Sequence, residues 1–97
     1  MITEIATVEI KPGTEQEFEA AVEKASAISG VPGNYGVQLH RSIQNPTRYR
    51  VMSRWESVAH HHAFRDSPQA QEYFALVGPF LMGTPEVEHT ETVLATF

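Results

Sequence analysis

Five histidines are the residues of this chain best suited to chemistry near neutral pH, and three of them, His60-His61-His62, are consecutive. The other two are His40 and His89. An imidazole with an ordinary pKa of about 6.5 can move a proton or ligate a metal. Consecutive helical residues lie about 100° apart, so three in a row diverge and do not close on one ion. A helical metal pair needs i, i+4 spacing, and those slots hold Phe64 and Arg65. Further ligands would have to come from His40 or His89, so no metal site is expected. The run reads as solvated helix surface with one inward ring. His61 is that ring, because it lies three residues before Phe64 on the same stripe. In a pocket wall it would orient a polar group of a ligand or take its proton; a hydrogen-bonded core histidine is the plainer alternative.

Other chemistries are excluded by residue type. Without cysteine there is no disulfide, thiolate metal site or cysteine nucleophile. No Gly-rich phosphate loop, flavin or nicotinamide fingerprint, or serine elbow is present. Any oxidation therefore proceeds without a bound organic cofactor, or with one whose site leaves no local signature. The net charge of −5 disfavours nucleic acid and anionic membranes, which need a basic footprint. Arg48, Arg50 and Arg54 share one strand face, with Glu9, Glu86, Glu88 and Glu91 available as cross-strand or cross-dimer partners. Trp55, Tyr49 and Tyr73 are amphipathic, and each reads first as a packing anchor with a polar tip.

These side chains need elements to position them. Ile2 to Ile10 alternates with period two, Ala6, Val8 and Ile10 on one face, and Lys11-Pro12-Gly13 closes the strand. Thr14-Glu15-Gln16-Glu17 matches a capping box, and Phe18, Ala21, Val22, Ala25 and Ile28 follow at helical spacing to a left-handed cap at Gly30. Tyr35–Ser42 and Thr47–Trp55 read as a hairpin about Asn45-Pro46, with Tyr35, Val37 and Leu39 on one side of the first strand. Ser57 caps a second helical segment from Val58 to about Arg65. Ser67-Pro68 interrupts and restarts it, and Gly78-Pro79 ends it. Phe80 to Pro85 is a loop, and Val87 to Phe97 alternates as a last strand.

The order is β-α-β-β-α-β within one domain, residues 1–97. It fits an α+β, ferredoxin-like, four-stranded antiparallel sheet with the helices on one face. The other sheet face then needs water or a partner. Met52, Ile5 and one of Tyr49 or Trp55 are poor choices for water, so a homodimer through that face is expected. A domain this small buries only roughly 60–70% of its unfolded surface, which adds to the case. The opening residues lack a secretory pattern and no apolar run approaches about 18 residues, so no membrane association and a cytoplasmic location are expected.

Four segments occur in an order and spacing that resembles the antibiotic biosynthesis monooxygenase (ABM) family. They are Lys11-Pro12-Gly13-Thr14-Glu15-Gln16-Glu17-Phe18; Leu39-His40-Arg41-Ser42 before Asn45-Pro46; Trp55-Glu56-Ser57-Val58-Ala59-His60 with Phe64, Ser67-Pro68 and Tyr73; and Pro85-Glu86-Val87-Glu88-His89. The resemblance covers nearly the whole chain. It implies ferredoxin-like protomers paired sheet to sheet as a dimeric α/β barrel, each with an apolar pocket between helices and sheet. Members include cofactor-independent oxygenases of anthrones or quinols, haem-degrading enzymes and an enzyme of a phosphorylated quorum-sensing sugar. Many members carry His on the second helix where this chain has Phe64, and often again at Gln69. The haem-degrading branch uses Asn, Trp and His at positions that align with Ala6, Phe64 and Phe74.

The resemblance thus implies an oxygenase of a small aromatic substrate, a phenol, hydroquinone or anthrone. His61 would be the catalytic base, and Ala6, Val37, Leu39, Trp55, Phe64, Tyr73 and Phe74 would line the substrate pocket. No cofactor or metal is assigned. The alternative is a non-catalytic dimeric protein that binds a small hydrophobic ligand. A polar pair converging on His61 would favour the enzyme.

Overall fold

A computed structural model of the chain describes residues 1–28 and 30–97. Strands β1 (Ile2–Glu9), β2 (Asn34–Arg41), β3 (Arg48–Trp55) and β4 (Glu86–Glu91) form one antiparallel sheet in the order β2-β3-β1-β4. Helices α1 (Glu15–Ser26), α2 (Val58–Arg65) and α3 (Pro68–Val77) fill the connections, with a 3₁₀ turn at Gly78–Phe80. This is the expected ferredoxin-like βαββαβ arrangement. The period-two pattern of β1 puts Ala6 opposite Val51 on one side and Val87 on the other, and Val8 opposite Tyr49. That apolar side meets the helices. Val8, Ile10, Phe18, Val22, Ala25, Tyr49 and Val77 form the buried core, with the Phe18 and Tyr49 ring centroids 4.9 Å apart.

Both later helices start as the sequence indicates. Ser57 Oγ accepts from His60 N–H, and Ser67 Oγ accepts from Ala70 N–H with Pro68 opening the helix. The capping box of α1 does not form. Thr14 Oγ1 donates backward to the Lys11 carbonyl at 2.6 Å, and the Glu15 carboxylate, not Glu17, takes the Gly13 N–H. The helix also ends earlier than expected: Ala27 caps it, and Gly30, with φ of 76°, lies beyond the end.

Two strands depart from simple alternation. Between Asn34 and Val37 the β2–β3 register shifts through a bulge. Gly36 there takes φ of 130°, and Tyr35 is turned to solvent, 57% exposed, out of line with Val37 and Leu39. At the other edge the β1–β4 pairing ends at Glu91, opposite Ile2. The alternation through Phe97 is therefore unused, and Val93, Leu94 and Phe97 stand exposed.

The sheet's second face has no helix over it. Tyr49 and Trp55 both lie on the helix side, leaving Ile5 opposite Met52 as the apolar centre of the open face. Of its arginines, Arg48 pairs with Glu9. The register sets Arg50 and Arg54 opposite Thr7 and Thr3, and the β4 glutamates lie a further strand away, about 10 Å from β3. No helix is long and apolar enough to cross a membrane among the described residues.

Candidate active site

Between the sheet and α2–α3 lies a cavity of about 510 Å³. Ala6 and Val37 belong to its sheet wall, and Trp55, Phe64, Tyr73 and Phe74 give it rings. Those rings form a continuous belt: Trp55 to Phe64 at 5.6 Å, Phe64 to Tyr73 at 6.3 Å, Tyr73 to Phe74 at 5.5 Å between centroids. Phe74 is half exposed and sits at the rim. Leu39 does not line the cavity. It pairs with Val51 and packs on the core cluster that holds Phe18 and Tyr49.

The polar end is built across three elements. α2 carries His61 inward, where its ring stacks on Trp55 at 5.3 Å with a 30° interplanar angle. Its Nε2 lies 3.3 Å from Glu4 Oε1, and its Nδ1 lies 2.7 Å from His89 Nε2. The same Glu4 oxygen accepts from Trp55 Nε1–H at 2.9 Å. Glu4 and His89 are register partners on β1 and β4, so the sheet presents both to the helix together. The side chains of His61 and Glu4 are only 12% and 13% exposed.

Burial governs the electrostatics. It raises the Glu4 carboxyl above its usual range, against the Trp55 hydrogen bond and the His89 charge, which act to lower it. Burial pushes His61 down to about 4, assisted by the neighbouring charges of His89, His62 and Arg65. The Glu4 contact would counter this only with an ionised carboxylate, and burial opposes that ionisation too. Glu4 and His61 therefore titrate as a pair rather than as separate groups. Tyr73 is pushed up to about 12, by burial first and then by Glu4, so its hydroxyl stays protonated and serves only as a donor or acceptor.

The three consecutive histidines diverge, though not as fully as helix geometry alone suggests. His60 turns to Ser57 Oγ at 2.7 Å and to Glu56 at 3.0 Å, on the surface. His62 is exposed yet lines the cavity, its ring 5.9 Å from both His61 and His89. Among the described residues no three His, Cys, Asp or Glu side chains are arranged to hold a metal ion. His61 commits its two nitrogens to different partners.

Glu4 is the residue that sequence reasoning missed. It is in phase with Ala6, Val8 and Ile10, a carboxylate on the inward face of a strand, and that phase was the available signal. His89 shares the face of Val87, but nothing local indicates that it meets His61.

The sequence model of the family described as antibiotic biosynthesis monooxygenase matches residues 1–76. A Bordetella bronchiseptica protein assigned to the same monooxygenases has a crystal structure that superposes with a TM-score of 0.92. It is 42% identical, over 96% of this chain and 97% of that one. YczJ of Bacillus subtilis is 37% identical over 96% of this chain and 100% of its own. The mycobilin-producing haem oxygenase of Mycobacterium tuberculosis is 31% identical over 69% of this chain and 65% of its own length. Two Streptomyces relatives are longer proteins, of which the chain spans 23% and 18%. The match over most of the chain, on this fold and with this cavity, makes the chain a member of the antibiotic biosynthesis monooxygenase family.

Proposed function

We propose that the chain is a cofactor-independent monooxygenase of a small electron-rich aromatic, a phenol, hydroquinone or anthrone, and that the Glu4–His61 pair takes the substrate proton. The observation that carries the reading is the convergence of Glu4 and His89 on the two ring nitrogens of His61, at the polar end of an aromatic-lined cavity. The belt of Trp55, Phe64 and Tyr73 supports a flat ring, each aromatic contact contributing about 0.5–1.5 kcal/mol beyond area burial. Displacement of water by the bound ring keeps the substrate anion reactive toward O₂ and close to the pair.

The chemistry balances without a further reagent. The substrate loses a proton to the pair, and its anion passes one electron to O₂. The resulting substrate radical and superoxide combine as a peroxide anion, which takes the proton back. Loss of water then leaves one oxygen atom in the product and sends the other out as water. A single imidazole held at about 4 is a weak base for a phenol. The neighbouring carboxylate is what makes the site competent, since transfer of one proton turns a pair of net charge −1 into a neutral one.

Oxygen consumption by metal-stripped protein with an anthrone or a hydroquinone tests the reading. Glu4→Gln and His61→Ala should each lower kcat about 10²–10⁴-fold with an unchanged circular dichroism spectrum. His40→Ala, outside the cavity lining, should change little. Wild-type rates in both pair variants would remove the pair from the mechanism. Measurable ligand binding with no oxygen uptake would favour the second reading, a binding protein for a small hydrophobic molecule. Phe64 and Gln69, at positions where the family resemblance implies His, are the residues that support it. In either reading a second copy of the chain covers the Ile5–Met52 face.

A further inference from the structure

His89 is the member of the buried polar cluster that stands on the edge strand. Its Nε2 lies 2.7 Å from His61 Nδ1, while His61 Nε2 lies 3.3 Å from Glu4 Oε1. A neutral imidazole has one N–H and one lone pair, so the His61–His89 contact needs exactly one proton between the two nitrogens. This constrains where an added proton can rest. On His61 it would make an imidazolium that donates from Nδ1 to His89 Nε2 and lies beside His62 and Arg65, whose charges disfavour it. On His89 every contact is satisfied: Glu4 accepts from His61 Nε2–H, His61 Nδ1 accepts from His89 Nε2–H, and His89 keeps its other proton on Nδ1. The charge also remains near the Glu4 carboxylate, on the register partner of His89.

We propose that His89 is the resting place of the substrate proton while O₂ reacts, His61 acting as the bridge that passes it on. The inference rests on the monooxygenase reading given above. When the substrate proton arrives at the Nε2 side of His61, the Nδ1 proton moves to His89 Nε2, whose own N–H lies on Nδ1. One N–H bond forms on each ring, one breaks on His61, and His89 becomes an imidazolium. Protonation of the peroxide reverses both hops. The charged and titratable groups facing these rings are Glu4 of β1, His62 and Arg65 of α2, and Tyr73 of α3. His62 and Arg65 disfavour a cation on His61, and Glu4 offsets them for the cluster as a whole. His89 is thus a positioning residue that acts through His61.

Two variants separate this role from a structural one. His89→Gln keeps a group able to hydrogen-bond His61 Nδ1 and holds no proton; His89→Phe loses both. The proposal expects kcat to fall about 10²-fold in both variants, at the low end of what a positioned proton-transfer group contributes, with KM little changed. A purely structural His89 would be rescued by Gln, and a wild-type kcat in His89→Gln would overturn the proposal. A second readout needs no turnover. ¹⁵N spectra of the wild-type rings during acid titration should show His89 taking imidazolium shifts while His61 stays neutral. Imidazolium shifts appearing first on His61 would overturn the proposal. If no substrate supports oxygen uptake, the monooxygenase reading fails, and the titration still decides where the proton rests. Uptake of one divalent ion per chain by the wild type, displacing the His61–His89 hydrogen bond in the same spectra, would also overturn it.

Discussion

Acid should destabilise this protein through one ring, and His61→Gln should remove much of that sensitivity. In the unfolded chain His61 takes a proton near its ordinary 6.5, whereas in the fold it does so at about 4. Between those values the unfolded chain binds a proton that the native state refuses, so stability falls as pH drops through the window and is fully present above it. At about 1.4 kcal/mol per pKa unit the ceiling is about 3 kcal/mol. The ring borders a cavity that admits water, so screening reduces the expected loss to about 1–2 kcal/mol. Glu4 has the opposite sign. Its raised carboxyl binds a proton more readily in the fold, contributing stability at low pH that is lost as pH rises through its folded value. It therefore opposes the His61 effect wherever the two windows overlap. Urea unfolding of wild type and His61→Gln at pH steps from about 7 to about 4 measures this directly. The wild type should lose stability more steeply between about 6.5 and 4. Parallel curves would refute the reasoning, because they would mean that His61 titrates alike in both states.

Trp55→Phe keeps the ring wall and removes the N–H that Glu4 accepts. It should raise the Glu4 carboxyl further and cost about 1.5–3 kcal/mol, read by urea unfolding. Met52→Asp should shift the protein toward monomer in light scattering, since it puts an unpaired charge at the centre of the open face beside Ile5. Haem should not be turned over with a reductant. The cavity-lining Ala6, Phe64 and Phe74 supply neither a hydrogen bond nor an axial nitrogen, and both His61 nitrogens are engaged. A His-ligated absorption spectrum followed by ring opening would show otherwise.

The topology was legible because local chemistry and global pattern agree in it. The alternation of β1, the Ser57 cap and the Ser67-Pro68 restart each rest on groups within a few residues of one another. The misses share a different cause. Alternation from Val87 to Phe97 specifies an extended chain but cannot say whether a neighbouring strand exists, and β1 stops supplying one at Ile2. A threonine hydroxyl at Thr14 can bond forward or backward, and the Lys11 carbonyl was the nearer partner. Tyr35 was misplaced because the bulge lies in the register of two strands and leaves only Gly36 as its mark. Six of the seven residues expected to line the pocket do so, since each sits on an inward phase of its element; Leu39 shares that phase but lies over the core. The partners of His61 come from strands distant in sequence, and only the fold brings them together.

That dependence also sets an order of events during synthesis. β1 is made first and occupies an interior place in the sheet, yet both its neighbours come later: β3 at residues 48–55 and β4 at 86–91. Until β3 emerges, the inward face of β1 has no strand beside it, and until β4 emerges the cavity lacks the wall that carries His89. The acid–base cluster is therefore the last part of the molecule to assemble, joining residue 4 to residue 89 across nearly the whole chain. Pairings of such long range form slowly. A ribosome-bound chain lacking β4 would expose the Trp55–Phe64–Tyr73 belt, the state most in need of a chaperone.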